Sequence, residues 1–241
     1  MKTQIILTLI FSTSLFFTAC DDVTNIKASG DVTTQNHSFS AYNQIDIESA
    51  FTAFIRFSDT EESIEIEAND NLHEYIEVRE QSGTLTIGFR DNTNITGNAT
   101  LNAYIVTKNI DGFSASGASR FIVQDEINEE GVSIFLSGAS QFGGVIQTIS
   151  LNADISGASQ IQISGSSEDT NLTATGASQI EDFNFSTDYL NVFLSGASQA
   201  SLTVNEELDV VASGASIVRY KGSGVVNSQN LSGESKIIKE D

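Results

Sequence analysis

The sequence is short of the residues that most often carry chemistry. It has no Pro, no Trp, one Cys and two His among 241 residues. A disulfide needs two Cys, and a zinc site needs clustered His, Cys or carboxylate ligands, so we expect neither an intramolecular disulfide nor a zinc site. Nucleophilic catalysis needs a base beside the nucleophile. The only His bases are His37 and His73, which lie outside the Ser-rich second half of the chain.

Basic residues are also scarce. Lys and Arg total 11 against 32 Asp and Glu, which gives a formal net charge of −21. Nucleic-acid binding requires clustered cations that neutralise phosphates, so no nucleic-acid partner is expected. Docking on an anionic bilayer through a basic patch is disfavoured for the same reason. A hydrophobic content of 39% is too high for a wholly disordered chain.

The N-terminus has the features of an export signal. An apolar run, 5–17, is too short to span a hydrocarbon core of about 30 Å, which indicates a signal peptide. Small residues then precede Cys20, a pattern that resembles the signal of bacterial lipoproteins. An ordinary secretory peptide with an incidental Cys is the alternative. We predict a signal peptide over 1–19, a lipid on Cys20 that anchors the chain in a membrane, and a short tether over 20–29.

A tetrapeptide repeat fills the second half of the chain. Ser-Gly-Ala-Ser or a near copy occurs seven times, with 18 to 21 residues between successive Gly residues. Apolar residues stand four and two positions before each Gly and four positions after it, with few exceptions. This alternation of period two predicts strands with one buried face. The copies occupy 116–119, 137–140, 156–159, 175–178, 195–198, 213–216 and 232–235.

Strands that recur at this interval cannot bury a face alone and must stack on their neighbours. The pattern therefore predicts an all-β fold, a β-solenoid with rungs of about 19–20 residues over 111–241. We expect the Gly of each corner to adopt a backbone angle that only Gly tolerates. The Ala is expected in a crowded inside corner, and the Ser residues are expected to hydrogen-bond from rung to rung. The charged last rung is expected to form a polar cap.

A second column follows the repeat. Stacked Gln side chains can hydrogen-bond amide to amide along the axis of a solenoid, and a structural ladder is the favoured interpretation over a row that binds a ligand. The column consists of Gln141, Gln160, Gln179 and Gln199.

Residues 30–110 lack the tetrapeptide but also alternate. The pairs that start at Ile45, Ile64, Leu85 and Ala103 step by 19, 21 and 18 residues. This spacing favours early rungs of the same solenoid. A separate β-sandwich of about 80 residues remains the alternative.

The order of these strands and the repeats that follow resemble the head GIN domain of auto-transporter adhesins. The resemblance rests on 30–45, 64–72, 83–87 and 110–119, and extends over about residues 30–240. It implies a right-handed parallel β-helix and a location in the cell envelope, as in Bacteroidetes lipoproteins. Family members often have Pro before the first repeat. Residues 106–109 occupy that place in this chain and include no Pro.

These observations together favour a non-enzymatic envelope lipoprotein that acts as an adhesin or surface binding module. Its expected partners are the membrane, through the lipid on Cys20, and a glycan, matrix or envelope protein. Phe135 and Phe193 have outward parity and, with Tyr220 and the Gln column, form the candidate binding face. The expected location is the outer membrane or cell surface, with a periplasm-facing position as the alternative.

Three other functions stay open. The first is a structural or scaffold lipoprotein that faces the periplasm. The second is a polysaccharide-acting β-helix enzyme that would use Asp154, Glu181 and Asp182, although these occupy different columns. The third is an ice-binding surface of Ser, Thr, Ala and Gly ladders. No cofactor is predicted.

Overall fold

The computed structural model describes residues 23–241, so the predicted signal peptide and Cys20 lie outside the described residues. Within that range the chain is built of strands, and one 3-10 helix, Asp70–Leu72, is its helical element. The strands are β1 (Thr24–Lys27), β2 (Val32–His37), β3 (Gln44–Ile47), β4 (Thr52–Phe57), β5 (Ser63–Asn69), β6 (Ile76–Gln81), β7 (Thr84–Phe89), β8 (Thr93–Thr96), β9 (Leu101–Thr107), β10 (Gly112–Ala115), β11 (Arg120–Leu136), β12 (Gln141–Ile155), β13 (Gln160–Ala174), β14 (Gln179–Leu194), β15 (Gln199–Ala212), β16 (Ile217–Lys221), β17 (Val225–Leu231) and β18 (Lys236–Lys239).

Strands β10 to β18 form the predicted solenoid. Each long strand pairs in parallel with the next, and Gln141 is in register with Gln160, which is in register with Gln179. The register repeats every rung because each copy of the tetrapeptide makes the same corner. Several of these pairings shift register within the long strands, for example between Ile161 and Gly165. The prediction of an all-β solenoid with rungs of about 19–20 residues is confirmed.

The apolar columns form one continuous core. The column four residues before Gly, from Phe113 to Val210, is buried in every rung. At its N-terminal end Phe113, Phe121 and Phe142 contact one another, with ring centroids 5.0 to 6.1 Å apart. Hydrophobic burial along the whole axis is therefore the main force that holds the rungs together.

The last residue of each tetrapeptide is the buried one. Ser119, Ser140, Ser159, Ser178, Ser198 and Ser216 are at most 1% exposed. Each Oγ donates a hydrogen bond of 2.7–2.9 Å to the carbonyl oxygen three residues earlier, at the start of the same corner. A buried hydroxyl needs such a partner. The corner itself therefore supplies the main acceptor. The predicted bonding from rung to rung also occurs, since Ser159 Oγ accepts a hydrogen bond of 3.3 Å from Ser140 N and Ser156 Oγ donates one of 3.4 Å to the Leu136 carbonyl oxygen.

The Gly and Ala of the corner lie on the outside. All seven Gly residues have positive φ, between 65° and 81°, as predicted. The Ala beside each is exposed, as Ala177 illustrates. The expectation of a crowded inside corner for Ala is wrong, because the chain turns so that the following Ser, and not the Ala, points inward.

The first half of the chain joins the same sheet. Strands β3 and β4 stack in parallel on β10 and β11, and the corner between them, 48–51, is in register with the first Ser-Gly-Ala-Ser. The next layer outward contains β7 and β9, also parallel to β3 and β4. Strand β6 then pairs antiparallel with β7, β5 pairs antiparallel with β9, and β2 pairs antiparallel with β5. Apart from β1 and β8, the strands of the first half thus belong to one 16-stranded sheet with the solenoid.

The order of strands in this half differs from a simple sequence of rungs. Ile45 stacks on Leu85, whereas the strand of Ile64 runs antiparallel to the strand of Ala103. Residues 24–27, within the range expected to be a tether, form strand β1, which pairs with β8 in a separate two-stranded sheet.

Charged side chains lie over the C-terminal end of the core. Lys239 Nζ lies 5.3 Å from the centre of the Tyr220 ring and donates a hydrogen bond of 3.3 Å to the Gly224 carbonyl oxygen. Arg219 forms an ion pair of 3.2 Å with Glu240. These groups cover an end that would otherwise expose an apolar layer.

Candidate functional site

Exposed apolar side chains concentrate on one face of the solenoid. This face, here called the aromatic face, consists of the outward side chains of 131–135, 150–154, 169–173, 189–193 and 207–211, the strand segments that precede the corners. Because side chains alternate along a strand, the residues seven, five and three positions before each Gly share it. Parallel pairing then aligns them in columns along the axis.

Phe135 and Phe193 lie on this face, as their parity predicts. Phe135 is 52% exposed and Phe193 is 45% exposed. They belong to one column, which also contains Asp154, Thr173 and Val211. Three rungs separate the two rings, or about 14 Å at the usual spacing of strands. Along the axis, the two aromatic residues therefore flank the polar residues Asp154 and Thr173.

Tyr189 is a third exposed aromatic residue that the sequence interpretation missed. It is 47% exposed and lies on the same strand and the same face as Phe193, about 13 Å away along the strand. The parity that identified Phe193 also assigns Tyr189 to the outside, so the signal was present. Val225, in the column of Tyr189, is 60% exposed at the end of the face.

An amide ladder crosses the middle of the aromatic face. Asn171 Nδ2 donates to Asn152 Oδ1 at 3.1 Å, and Asn191 Nδ2 donates to Asn171 Oδ1 at 3.3 Å. Asp209 continues the column and accepts hydrogen bonds at Oδ1 from Asn227 Nδ2 and Ser228 Oγ. The sequence interpretation overlooked this column, five residues before each Gly, although Asn recurs there in three successive rungs.

Two shallow grooves lie on the aromatic face. One, of about 250 Å³, is lined by Phe193 and Val211 together with Asn171, Asn191 and Asp209. The other, of about 170 Å³, is lined by Phe135 and Asp154 with neighbouring Ser residues. Each groove thus combines an aromatic wall with hydrogen-bonding side chains.

The predicted Gln column lies on a different face. Gln141, Gln160, Gln179 and Gln199 are in register and half-buried, three residues after each Gly. The corner therefore separates them from Phe135 and Phe193, and the two groups do not form one face. Among residues 23–241 no hydrogen bond joins these Gln side chains. The predicted amide ladder occurs instead in the Asn column.

Tyr220 does not belong to a binding face. It is 6% exposed and has the inward parity of the buried Val218, two residues earlier. Its assignment as an exposed aromatic is wrong, because this parity directs the ring into the core beneath Lys239.

The carboxylates considered for catalysis are not brought together. Asp154 is in register with Thr173, before a corner, whereas Glu181 is in register with Ser201, after one. The described part of the chain contains no cluster of three or more His, Cys, Asp or Glu side chains that could hold a metal ion. No helix in residues 23–241 has the length and apolar character needed to cross a membrane.

The fold is similar to those of several solved structures. A putative adhesin from Bacteroides fragilis NCTC 9343 has a TM-score of 0.79 and 19% identity, covering 89% of this chain and 97% of its own. A putative adhesin from Parabacteroides merdae ATCC 43184 has a TM-score of 0.70 and 20% identity, with coverages of 90% and 99%. A putative lipid binding protein from Parabacteroides distasonis ATCC 8503 has a TM-score of 0.73 and 17% identity, with coverages of 90% and 100%.

Sequence comparison agrees with this fold. No curated protein matches the chain in sequence. The family model described as "Putative auto-transporter adhesin, head GIN domain" matches residues 41–224. That range starts just before β3 and ends within the last rung, so it includes the aromatic face. The chain therefore belongs to the head GIN domain family of putative auto-transporter adhesins.

Proposed function

We propose that this protein is a lipid-anchored envelope protein, without enzymatic activity, that binds an external ligand through the aromatic face. The observation that carries the proposal is the exposure of Phe135, Tyr189 and Phe193 on one regular surface. Large apolar side chains exposed together on a soluble domain usually mark an interaction site. The adhesin descriptions of the family and of two structural neighbours support the same role.

We expect the anchor at Cys20 to lie close to the start of the fold. Strand β1 begins at Thr24, so even a fully extended chain places Cys20 within about 14 Å of it. A lipid there holds the β1–β8 sheet close to a membrane. The neighbour described as a putative lipid binding protein suggests a second possible ligand class, whose binding would also use an apolar surface.

The proposal is tested with cells that produce the full chain. Wild-type cells, cells with the double substitution Phe135→Ser and Phe193→Ser, and cells with Val145→Ser and Ile149→Ser are compared for retention on surfaces coated with mucin or extracellular matrix. Val145 and Ile149 are also exposed but lie outside the aromatic face, so they control for lost surface hydrophobicity.

We expect the Phe double variant to lose at least five-fold in retention and the control variant to behave like wild type. Cys20→Ala should reduce retention as well, because the chain leaves the membrane fraction. Equal retention of wild-type and Phe-variant cells, at equal amounts of anchored protein, would contradict the proposal. Retention that is absent in all cells, with the protein protected inside the envelope, would instead favour the periplasmic scaffold.

A further inference from the structure

We infer that the ligand of the aromatic face is a neutral glycan, bound along β14 between Tyr189 and Phe193, with β13 and β15 on either side. This inference rests on the proposed function, since it names the ligand class of the same face. Sugar rings present apolar C–H faces and a perimeter of hydroxyl groups. A matching protein surface therefore needs exposed aromatic rings and, between them, groups that can accept and donate hydrogen bonds.

The aromatic part of that surface is Tyr189 and Phe193. Both lie on β14 with the same orientation, and Asn191 stands between them on the same face. Tyr and Phe side chains offer large rigid areas with few rotatable bonds, so little conformational entropy is lost when they pack against a ligand. A strand that presents two such rings can accommodate an extended chain of sugars along its length.

The hydrogen-bonding part has unused capacity. Asn191 donates to Asn171, and Asp209 accepts both of its hydrogen bonds at Oδ1. Within residues 23–241, Asn191 Oδ1 and Asp209 Oδ2 accept no hydrogen bond, although the two residues are in register on adjacent strands. Two neighbouring free acceptors beside an aromatic ring suit a ligand that is rich in hydroxyl donors.

Charge excludes anionic glycans. No Lys or Arg occurs between Arg120 and Arg219, and Asp169, Glu207 and Asp209 lie on or beside the groove of Phe193. A sulfated or carboxylated polysaccharide would meet a field of its own sign. The amide ladder, by contrast, is uncharged and matches neutral hydroxyl groups.

The experiment measures the retention of fluorescent polysaccharides by cells that produce the full chain, both intact and after permeabilisation of the outer membrane. The neutral probes are amylose, mannan and laminarin, and the anionic probe is heparin. The variants are Tyr189→Ser with Phe193→Ser, Asp209→Leu, and Val145→Ser as the control. Permeabilised cells ensure that a protected location is not mistaken for a lack of binding.

We expect cells with the wild-type chain to retain at least one neutral probe and not to retain heparin. Retention of the neutral probe should fall ten-fold or more in the aromatic double variant and by a smaller factor in Asp209→Leu. It should not change in Val145→Ser. Failure of every neutral probe, or equal retention by the double variant, would overturn the inference. The proposed function is judged separately on the coated surfaces. On those surfaces, periodate oxidation destroys the glycans of the coat and protease treatment destroys its proteins. Retention that depends on Phe193, survives periodate and is lost after protease treatment would identify a protein ligand. That result would refute the glycan inference and leave the proposed function intact.

Discussion

At the scale of single residues, the corner explains why the tetrapeptide repeats so strictly. The backbone carbonyls of Gly138, Gly157, Gly176 and Gly196 each accept the N–H of the Ala one rung later, for example Ala177 N to Gly157 O at 2.7 Å. This contact brings the corners of successive rungs so close that a Cβ on Gly176 would lie 2.4 Å from the Gly157 oxygen. The φ of Gly176 is also +81°. Both facts require Gly at this position.

Gly176→Ala should therefore destabilise the fold by about 2 kcal/mol or more, since the left-handed conformation alone costs about 1–2 kcal/mol for a residue with a Cβ. The matched control is Gly131→Ala in β11, where a Cβ would have no neighbour within 4 Å. That change should be neutral or slightly stabilising. Chemical denaturation of both variants measures the difference, and equal effects at the two positions would refute this account of the corner.

The adjacent Ala177 and Ser178 provide a second test, because one is exposed and the other is completely buried. Ser178→Leu should destabilise by about 2 kcal/mol or more, through overpacking and loss of the hydrogen bond to the Thr175 carbonyl. Ala177→Leu should change the free energy of unfolding by no more than about 0.5 kcal/mol. A greater cost at Ala177 than at Ser178 would mean that the corner is turned the other way.

At the scale of elements, period-two alternation identified the strands more accurately than it identified which strands pair with each other. The columns on either side of the corners were correct because seven copies of one motif impose one register. In the first half the strand of Ile64 shows the same alternation whether its neighbour is parallel or antiparallel, so period two alone cannot distinguish the two arrangements. The antiparallel pairing of β5 with β2 and β9 therefore had no signal in the sequence.

Strand β2 should respond to pH through His37. Burial, and to a smaller extent the charge of His73, lowers the pKa of His37 below its ordinary value of 6.5. As the pH falls, His37 therefore takes up a proton in the unfolded chain before it does so in the folded protein. The contribution of neutral His37 to the stability of the fold is complete above pH 6.5 and is lost as the pH falls through the lowered pKa.

The test is thermal unfolding of wild type and His37→Gln at about pH 7.5 and about pH 5.5. When the pH is lowered from the higher to the lower value, the melting temperature of the wild type should fall more, or rise less, than that of the variant. The comparison between the two proteins cancels the titration of the many carboxylates. Identical pH dependence would show that His37 does not contribute.

At the scale of the whole molecule, one sheet links the first half to the solenoid, and a strongly acidic surface surrounds an uncharged amide ladder and three exposed aromatic rings. The parity of Phe135 and Phe193 was predictable, and that of Tyr189 and Tyr220 followed the same rule. The separation of the Gln column from the Phe column was not predictable without knowing which way the corner turns. The ligand could not be predicted from the alternation, because alternation indicates which side chains are exposed and not what they bind.

The measurement that most directly tests the central claim, an anchored solenoid with its aromatic face directed outside the cell, is labelling of Thr173→Cys. Thr173 lies between Phe135 and Phe193 in their column, and the natural chain has one Cys, at position 20. A maleimide on a long polyethylene glycol chain cannot pass an intact outer membrane. We predict that it labels the variant on intact cells as fully as in lysed cells, while a periplasmic protein in the same cells stays unlabelled. Labelling that appears only after permeabilisation would contradict the account and place the face in the periplasm.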